Sequence, residues 1–200
     1  MIDVCLTNGN SEIILANKYG RAIRFNETKV RTMGRTATGV KGMTLNGGDD
    51  EIVGMIAIED MEKENIMVVS DQGYGKRSNI DDYRITNRGG KGVKTMNITD
   101  KTGLLVAIKN VTDENDLMII NKSGVVIRLK VTDVRVMGRA TQGVRLINLG
   151  KRNDQIASVC KVLTSNDEEE LEIEEGEVLD ENVIETNTNE ETEELINDNE

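Results

Sequence analysis

Aromatic side chains are nearly absent: Tyr19, Phe25, Tyr74 and Tyr83 are the only ones in 200 residues. Base stacking on an aromatic platform therefore has little material, and any nucleic-acid contact should fall to phosphates. Histidine is missing, and Cys5 and Cys160 stand far apart. A zinc cluster and a His-based catalytic triad are thereby excluded. No metal site, cofactor or disulfide framework is expected, which fits a reducing cytoplasm. No apolar run approaches the ~18 residues that span a bilayer, and no signal peptide precedes Asp3, so no membrane partner is expected. Proline is also missing, as suits a body built of strand ladders, where Pro deletes a donor.

What is present is charge, unevenly placed. The net charge is −11, with 25 basic and 36 acidic residues. Seventeen of the acidic residues, and no basic ones, lie in residues 167–200. Residues 1–166 thus hold 25 basic against 19 acidic residues, a net of +6. A mildly basic body with an acidic tail points towards a polyanionic partner.

The body is a repeat. Glu12-Ile-Ile-Leu-Ala-Asn-Lys-Tyr-Gly20 matches Asn65-Ile-Met-Val-Val-Ser-Asp-Gln-Gly73 and Asp116-Leu-Met-Ile-Ile-Asn-Lys-Ser-Gly124, at shifts of 53 and 51 residues. The same shifts carry Gly39-Val40 to Gly92-Val93 and Gly143-Val144. A period of ~50 residues is the size of a four-stranded propeller-type blade. The first unit reads as short antiparallel strands over 12–17, 21–26, 40–45 and 52–58, separated by Gly, Asn and Asp. The expected division is residues 1–10 as the end of a preceding blade, 11–163 as three blades (about 11–61, 62–113 and 114–163), and 164–200 as a disordered acidic tail. The fold class is all-β, a propeller-like partial ring.

Four columns stay basic in all three units: Arg24, Arg77, Arg128; Arg31, Arg84, Arg135; Arg35, Arg88, Arg139; and Lys41, Lys94, Arg145. They hold 12 of the 25 basic residues. Repetition places equivalent side chains at equivalent points, so each column becomes an arc of positive charge. Such an arc can follow duplex DNA, which carries one charge per ~1.7 Å of axis, and Arg can bond two phosphate oxygens with its planar fork. The three loop columns are read as phosphate contacts. Arg24, Arg77 and Arg128 sit in apolar strands and are read either as phosphate contacts or as staples between blades. In the middle unit the loop is Arg88-Gly89-Gly90-Lys91-Gly92. There glycine allows positive φ and a close backbone approach to an anion, or simply makes a turn.

These segments carry a resemblance. Arg88-Gly-Gly-Lys-Gly92, the twin segments Arg31-Thr-Met-Gly-Arg-Thr-Ala-Thr-Gly-Val-Lys41 and Arg135-Val-Met-Gly-Arg-Ala-Thr-Gln-Gly-Val-Arg145, and the ~50-residue unit together resemble the C-terminal domain of the DNA gyrase A subunit. The family's signature box has a Gln and a basic residue before Arg-Gly-Gly-Lys-Gly, where this chain has Thr86 and Asn87. The resemblance implies a β-pinwheel of usually six blades with strands exchanged between neighbours, of which this chain would be the last three. It implies duplex DNA bound through phosphates and wrapped on the rim to support negative supercoiling. It further implies the rest of gyrase A and, through it, gyrase B as partners, in the bacterial cytoplasm and nucleoid. No DNA-cleaving tyrosine context is present, so the chain reads as non-catalytic by itself. The alternatives are a topoisomerase IV A-subunit domain and a propeller that binds proteins. The tail reads either as a solubilising segment or as a DNA mimic that competes for the basic rim.

Overall fold

The computed structural model describes residues 1–149 and 154–164. The expectation of a disordered tail falls on residues outside that range. Eleven strands are seen among the described residues. They are β1 (Glu12–Asn17), β2 (Arg21–Asn26), β3 (Ile52–Ile58), β4 (Asn65–Ser70), β5 (Tyr74–Asn79), β6 (Val93–Lys94), β7 (Leu105–Val111), β8 (Asn115–Asn121), β9 (Val126–Lys130), β10 (Val144–Arg145) and β11 (Ile156–Leu163). Three antiparallel sheets follow in chain order: β3-β1-β2-β6, β10-β5-β4-β7 and β11-β8-β9.

The central hairpin of each unit is set by local chemistry. Asn17, Ser70 and Asn121 occupy one column, and their side-chain oxygens accept the backbone N–H of Arg21, Tyr74 and Val125 at 2.7, 3.2 and 2.7 Å. The glycine three residues after each adopts positive φ: +71° at Gly20, +81° at Gly73 and +84° at Gly124. This is the conformation that only glycine takes without cost. The middle unit's first strand, β4, is apolar on both faces because its sheet packs against the other two. In β4, Ile66 and Val68 face the first sheet's Ile14, Ala16 and Ile56. Met67 and Val69 face Leu117, Ile119 and Ile156 of the third. The two-residue period of a strand thus deals successive side chains into two different cores. Each fully buried aliphatic side chain contributes about 1.5–3 kcal/mol.

The third strand of the second and third units does not join its own sheet, as the strand exchange implied by the resemblance requires, whereas the strand pattern alone read each unit as four strands of its own. Val93 and Lys94 of the second unit pair with Ala22 and Arg21 of the first. Val144 and Arg145 of the third unit pair with Gly75 and Tyr74 of the second. Residues 40–45, expected as a strand, form none. A two-residue strand persists only against the outer edge of a preceding hairpin, and among the described residues none precedes the first unit. Residues 1–8 likewise form no strand and are exposed. Two junctions between units are therefore complete, each tied by a strand that one unit lends to the other.

Candidate nucleic-acid interface

After β2, β5 and β9 the chain makes a single 3-10 turn, at Glu27–Lys29, Ile80–Asp82 and Val131–Asp133. Each turn delivers a cap residue (Val30, Tyr83 or Val134) followed at once by Arg31, Arg84 or Arg135. All three arginines are exposed. Tyr83 is 1% exposed, and its hydroxyl shares a 2.5 Å hydrogen bond with the Thr95 hydroxyl. Burial pushes its pKa up to about 12, so it stays neutral. A rigid, buried residue therefore presents Arg84 at the surface.

The Arg24 column is the other half of this device. Arg24 is 3% exposed and forms a salt bridge with Glu12. It donates to the carbonyls of Ile80 at 2.9 Å and Tyr83 at 3.0 Å, both in the next unit. Arg77 repeats the arrangement one unit on, donating to the Val134 carbonyl and to Asp113 at 2.5 Å. Two nearly buried guanidinium groups thus clasp the backbone immediately before Arg84 and Arg135. Of the two readings left open for this column, the staple describes Arg24 and Arg77. Arg128 bonds Asp116 at 2.6 Å and is partly exposed.

The third column also spends its donors on backbone. Arg88 donates to Lys29 O at 2.9 Å and Lys41 O at 3.1 Å. Arg139 donates to Asp82 O and Lys94 O, both at 2.8 Å. The acceptors are equivalent positions of the preceding unit. Arg35 is exposed and has no such carbonyls before it.

The glycines of the middle loop serve the same crossing. Gly89 (φ +83°) gives its N–H to Gly42 O at 2.5 Å, so that donor does not point at solvent. At Gly92 (φ +71°) a Cβ would collide with the Ala22 carbonyl, and at Gly143 (φ +81°) one would sit 2.5 Å from the Gly75 carbonyl. Gly90 passes over Ile23. These glycines let one chain segment cross another where a side chain would not fit.

What remains outward is a cationic set: Arg31, Arg84 and Arg135, with Arg35, Lys41, Lys91, Lys94 and Arg145, all exposed. Arg145 lies 5.6 Å over the Tyr74 ring and donates to its hydroxyl at 3.0 Å, which holds that phenol below its ordinary pKa. Lys94 Nζ bonds Asn97 at 3.2 Å. Arg84, Asn87, Gly90 and Lys91 line a surface pocket of about 250 Å³ beside β2.

Lys76 was missed by the sequence reading. It has no exposed surface, and its ammonium donates to Gly138 O at 2.7 Å and to Arg139 O, on the third unit's loop. Desolvation lowers its pKa from 10.5 to about 7. A sequence sign existed, because its column reads Ile23, Lys76, Ile127. A single cation in an otherwise apolar column marks a special contact.

A family model described as DNA gyrase C-terminal domain, beta-propeller, matches residues 11–59, 64–112 and 115–160. The DNA gyrase A subunit of Staphylococcus aureus strain MRSA252 is 44% identical over 198 residues, covering 99% of this chain and 21% of that protein. Its counterpart from strain NCTC 8325 / PS 47 is 45% identical over 199 residues, covering 99% and 22%. The chain spans about a fifth of the length of the curated relatives it matches. Among solved structures, a DNA gyrase A C-terminal domain aligns with a TM-score of 0.71 at 27% identity, over 78% of this chain and 52% of that one. The C-terminal domain of a DNA topoisomerase IV aligns with a TM-score of 0.75 at 26% identity, over 87% and 53%.

Proposed function

The chain belongs to the DNA gyrase A C-terminal domain family, and on that premise we propose that its repeats bind and bend duplex DNA along the edge that carries Arg31, Arg84 and Arg135. The observation that supports this most directly is the recurrence of an exposed arginine, without an ion pair among the described residues, at one position of each unit. Lys91, Lys94, Lys41 and Arg145 extend the same cationic edge. Contacts of this kind read the backbone and the deformability of DNA, with little reading of bases. Smoothly bending 20–30 base pairs by 40–90° costs on the order of 1–6 kcal/mol, which the phosphate contacts must offset. Within this reading the domain is non-catalytic. It acts for a gyrase A subunit by presenting wrapped DNA to the parts of the enzyme that cut and pass strands, with gyrase B as the indirect partner, in the nucleoid.

The test is binding of a fluorescent duplex at stepped salt concentrations, combined with end-to-end energy transfer. The reading requires affinity that falls steeply with salt and duplex ends that approach on binding. Affinity indifferent to salt would overturn it. The topoisomerase IV likeness favours a second reading, in which the domain binds DNA without wrapping it. Unchanged end-to-end distance on binding would select that one.

A further inference from the structure

The strands that units lend to one another carry unbalanced charge. At the first junction Lys94 of β6 lies directly opposite Arg21 of β2. Directly opposite residues on one face of a sheet stand about 4.5–5.5 Å apart at Cβ, and like charges there destabilise the pairing. β6 has only two residues, so one of its two cross-strand pairs works against it. Arg21 donates to Gly92 O at 3.2 Å, and Lys94 Nζ donates to Asn97 Oδ1 at 3.2 Å. Neither contact brings a negative charge.

The second junction reaches the same arrangement with different residues. Tyr74 stands where the first junction has Arg21, and it pairs with Arg145 of β10. The second cation comes from Lys101, exposed in the turn before β7. Its Nζ lies 5.7 Å from the centre of the Tyr74 ring, and the Arg145 guanidinium lies 5.6 Å from it. The electron-rich ring face attracts both cations, and the phenol oxygen accepts from Arg145 at 3.0 Å. Among the described residues no carboxylate forms an ion pair with any of the four cations. At the same two junctions Arg24 and Arg77 each have one. In both cases the two cations come from adjoining units, Arg21 with Lys94 and Lys101 with Arg145.

We propose that each cation pair grips one backbone phosphate of the bound duplex, so that the phosphate bridges two units and relieves the repulsion at the lent strand. This rests on the DNA-binding reading and adds Arg21 and Lys101 to the contacts. A phosphate between the two cations supplies the missing negative charge, and the fork of Arg21 or Arg145 can bond two of its oxygens. Binding and junction closure are then linked, because a ligand that favours the closed junction stabilises it by mass action. DNA thereby tightens the array that it wraps, and the lent strands are looser in the free protein than in the complex.

The test measures duplex affinity against salt for the whole chain and for two double variants, Arg21→Gln with Lys94→Gln and Lys101→Gln with Arg145→Gln. Each double variant should reduce the slope of log affinity against log salt by about 0.9, the value for one phosphate. A reduction of about 1.8 would mean two separate phosphates, and an unchanged slope would mean no contact; either overturns the proposal. A wild-type affinity indifferent to salt would overturn the DNA-binding reading as well, whereas a steep wild-type slope beside unaltered double variants would overturn this inference alone. Lys94→Gln by itself should raise the urea midpoint of the free protein while lowering duplex affinity severalfold at low salt. A purely structural lysine would give losses in stability, so a midpoint that is unchanged or lower also overturns the proposal. Amide exchange of the wild-type chain needs no variant: β6 and β10 should exchange more slowly with duplex bound, and unchanged rates would show that no phosphate bridges the units.

Discussion

Two arginine columns lie seven residues apart and share residue type, charge and repetition, yet they have opposite surroundings. Arg24 and Arg77 are nearly buried and bonded to carboxylates and to backbone of the next unit. Arg84 and Arg135 are exposed, each one residue beyond a carbonyl that the buried column holds. Repetition marks positions as equivalent to one another, but it does not say whether they face water or a neighbour. The difference is one of available partners. A buried guanidinium needs its donors satisfied, and the inner column finds carbonyls where the outer column finds solvent.

The largest expected effect breaks the inner column. Arg24→Ala removes the clasp on Ile80 O and Tyr83 O and leaves Glu12, itself largely buried, without its partner. Deleting one member of a buried ion pair costs about 3–5 kcal/mol. Urea unfolding should show a loss of that size. A loss below about 1 kcal/mol would mean that the inner column is no staple.

Next comes Lys76, a buried cation that sharpens the contrast because it too spends its charge on backbone. Its folded pKa is about 7, against 10.5 in the unfolded chain. Below pH 7 both states hold the proton, so this group adds no pH dependence. Between pH 7 and 10.5 the unfolded chain holds the proton and the folded chain does not, so stability from this group rises with pH. The slope approaches about 1.4 kcal/mol per pH unit inside that window. Lys76→Met should flatten the rise in unfolding free energy between pH 7.5 and 9.5, as measured by urea titration at each pH. Equal slopes in the two proteins would show that Lys76 titrates normally.

The outer column is tested by changing Arg31, Arg84 and Arg135 together to Ala. Exposed side chains without partners among the described residues should cost less than about 0.5 kcal/mol of stability each. Each phosphate left without its arginine should reduce the slope of log affinity against log salt by about 0.9. The triple variant should therefore keep its unfolding midpoint and lose about 2.7 of slope. An unchanged slope would move the DNA edge elsewhere on the molecule.

How far this division could be read from the sequence depends on the range of the interaction involved. The repeat, the hairpin turns at Gly20, Gly73 and Gly124, and the four basic columns are local patterns and were legible. The exchange of β6 and β10 was implied only by the family resemblance and not by the residues themselves, because a two-residue strand carries no periodicity of its own and its partner lies about 70 residues away. Residues 40–45 look as strand-like as residues 93–98, and only the presence of a preceding hairpin separates them. The same holds for Arg88 and Arg139. Their loop reads as a phosphate loop, but the fold brings carbonyls of the preceding unit within 3.1 Å. Lys76 was legible as a break in an apolar column and could have been found by asking which columns lose their character once.

The smallest effect joins the two ends of the charge distribution. Residues 167–200 carry 17 acidic residues and no basic one, and they can compete with DNA only where they can reach cations. The inner column is closed to them and the outer column is open. Removing residues 165–200 should therefore raise affinity for duplex a few-fold at low salt. The gain should fade near 0.15 M, where charges more than ~8 Å apart are largely screened. General electrostatic repulsion of DNA by an acidic segment predicts a gain of that kind too, so the deletion alone does not distinguish competition from bulk charge. The distinction comes from combining it with the triple Arg→Ala variant in a double-mutant cycle. If the tail competes for Arg31, Arg84 and Arg135, its removal gains nothing once they are gone. If it acts only through net charge, the two effects add.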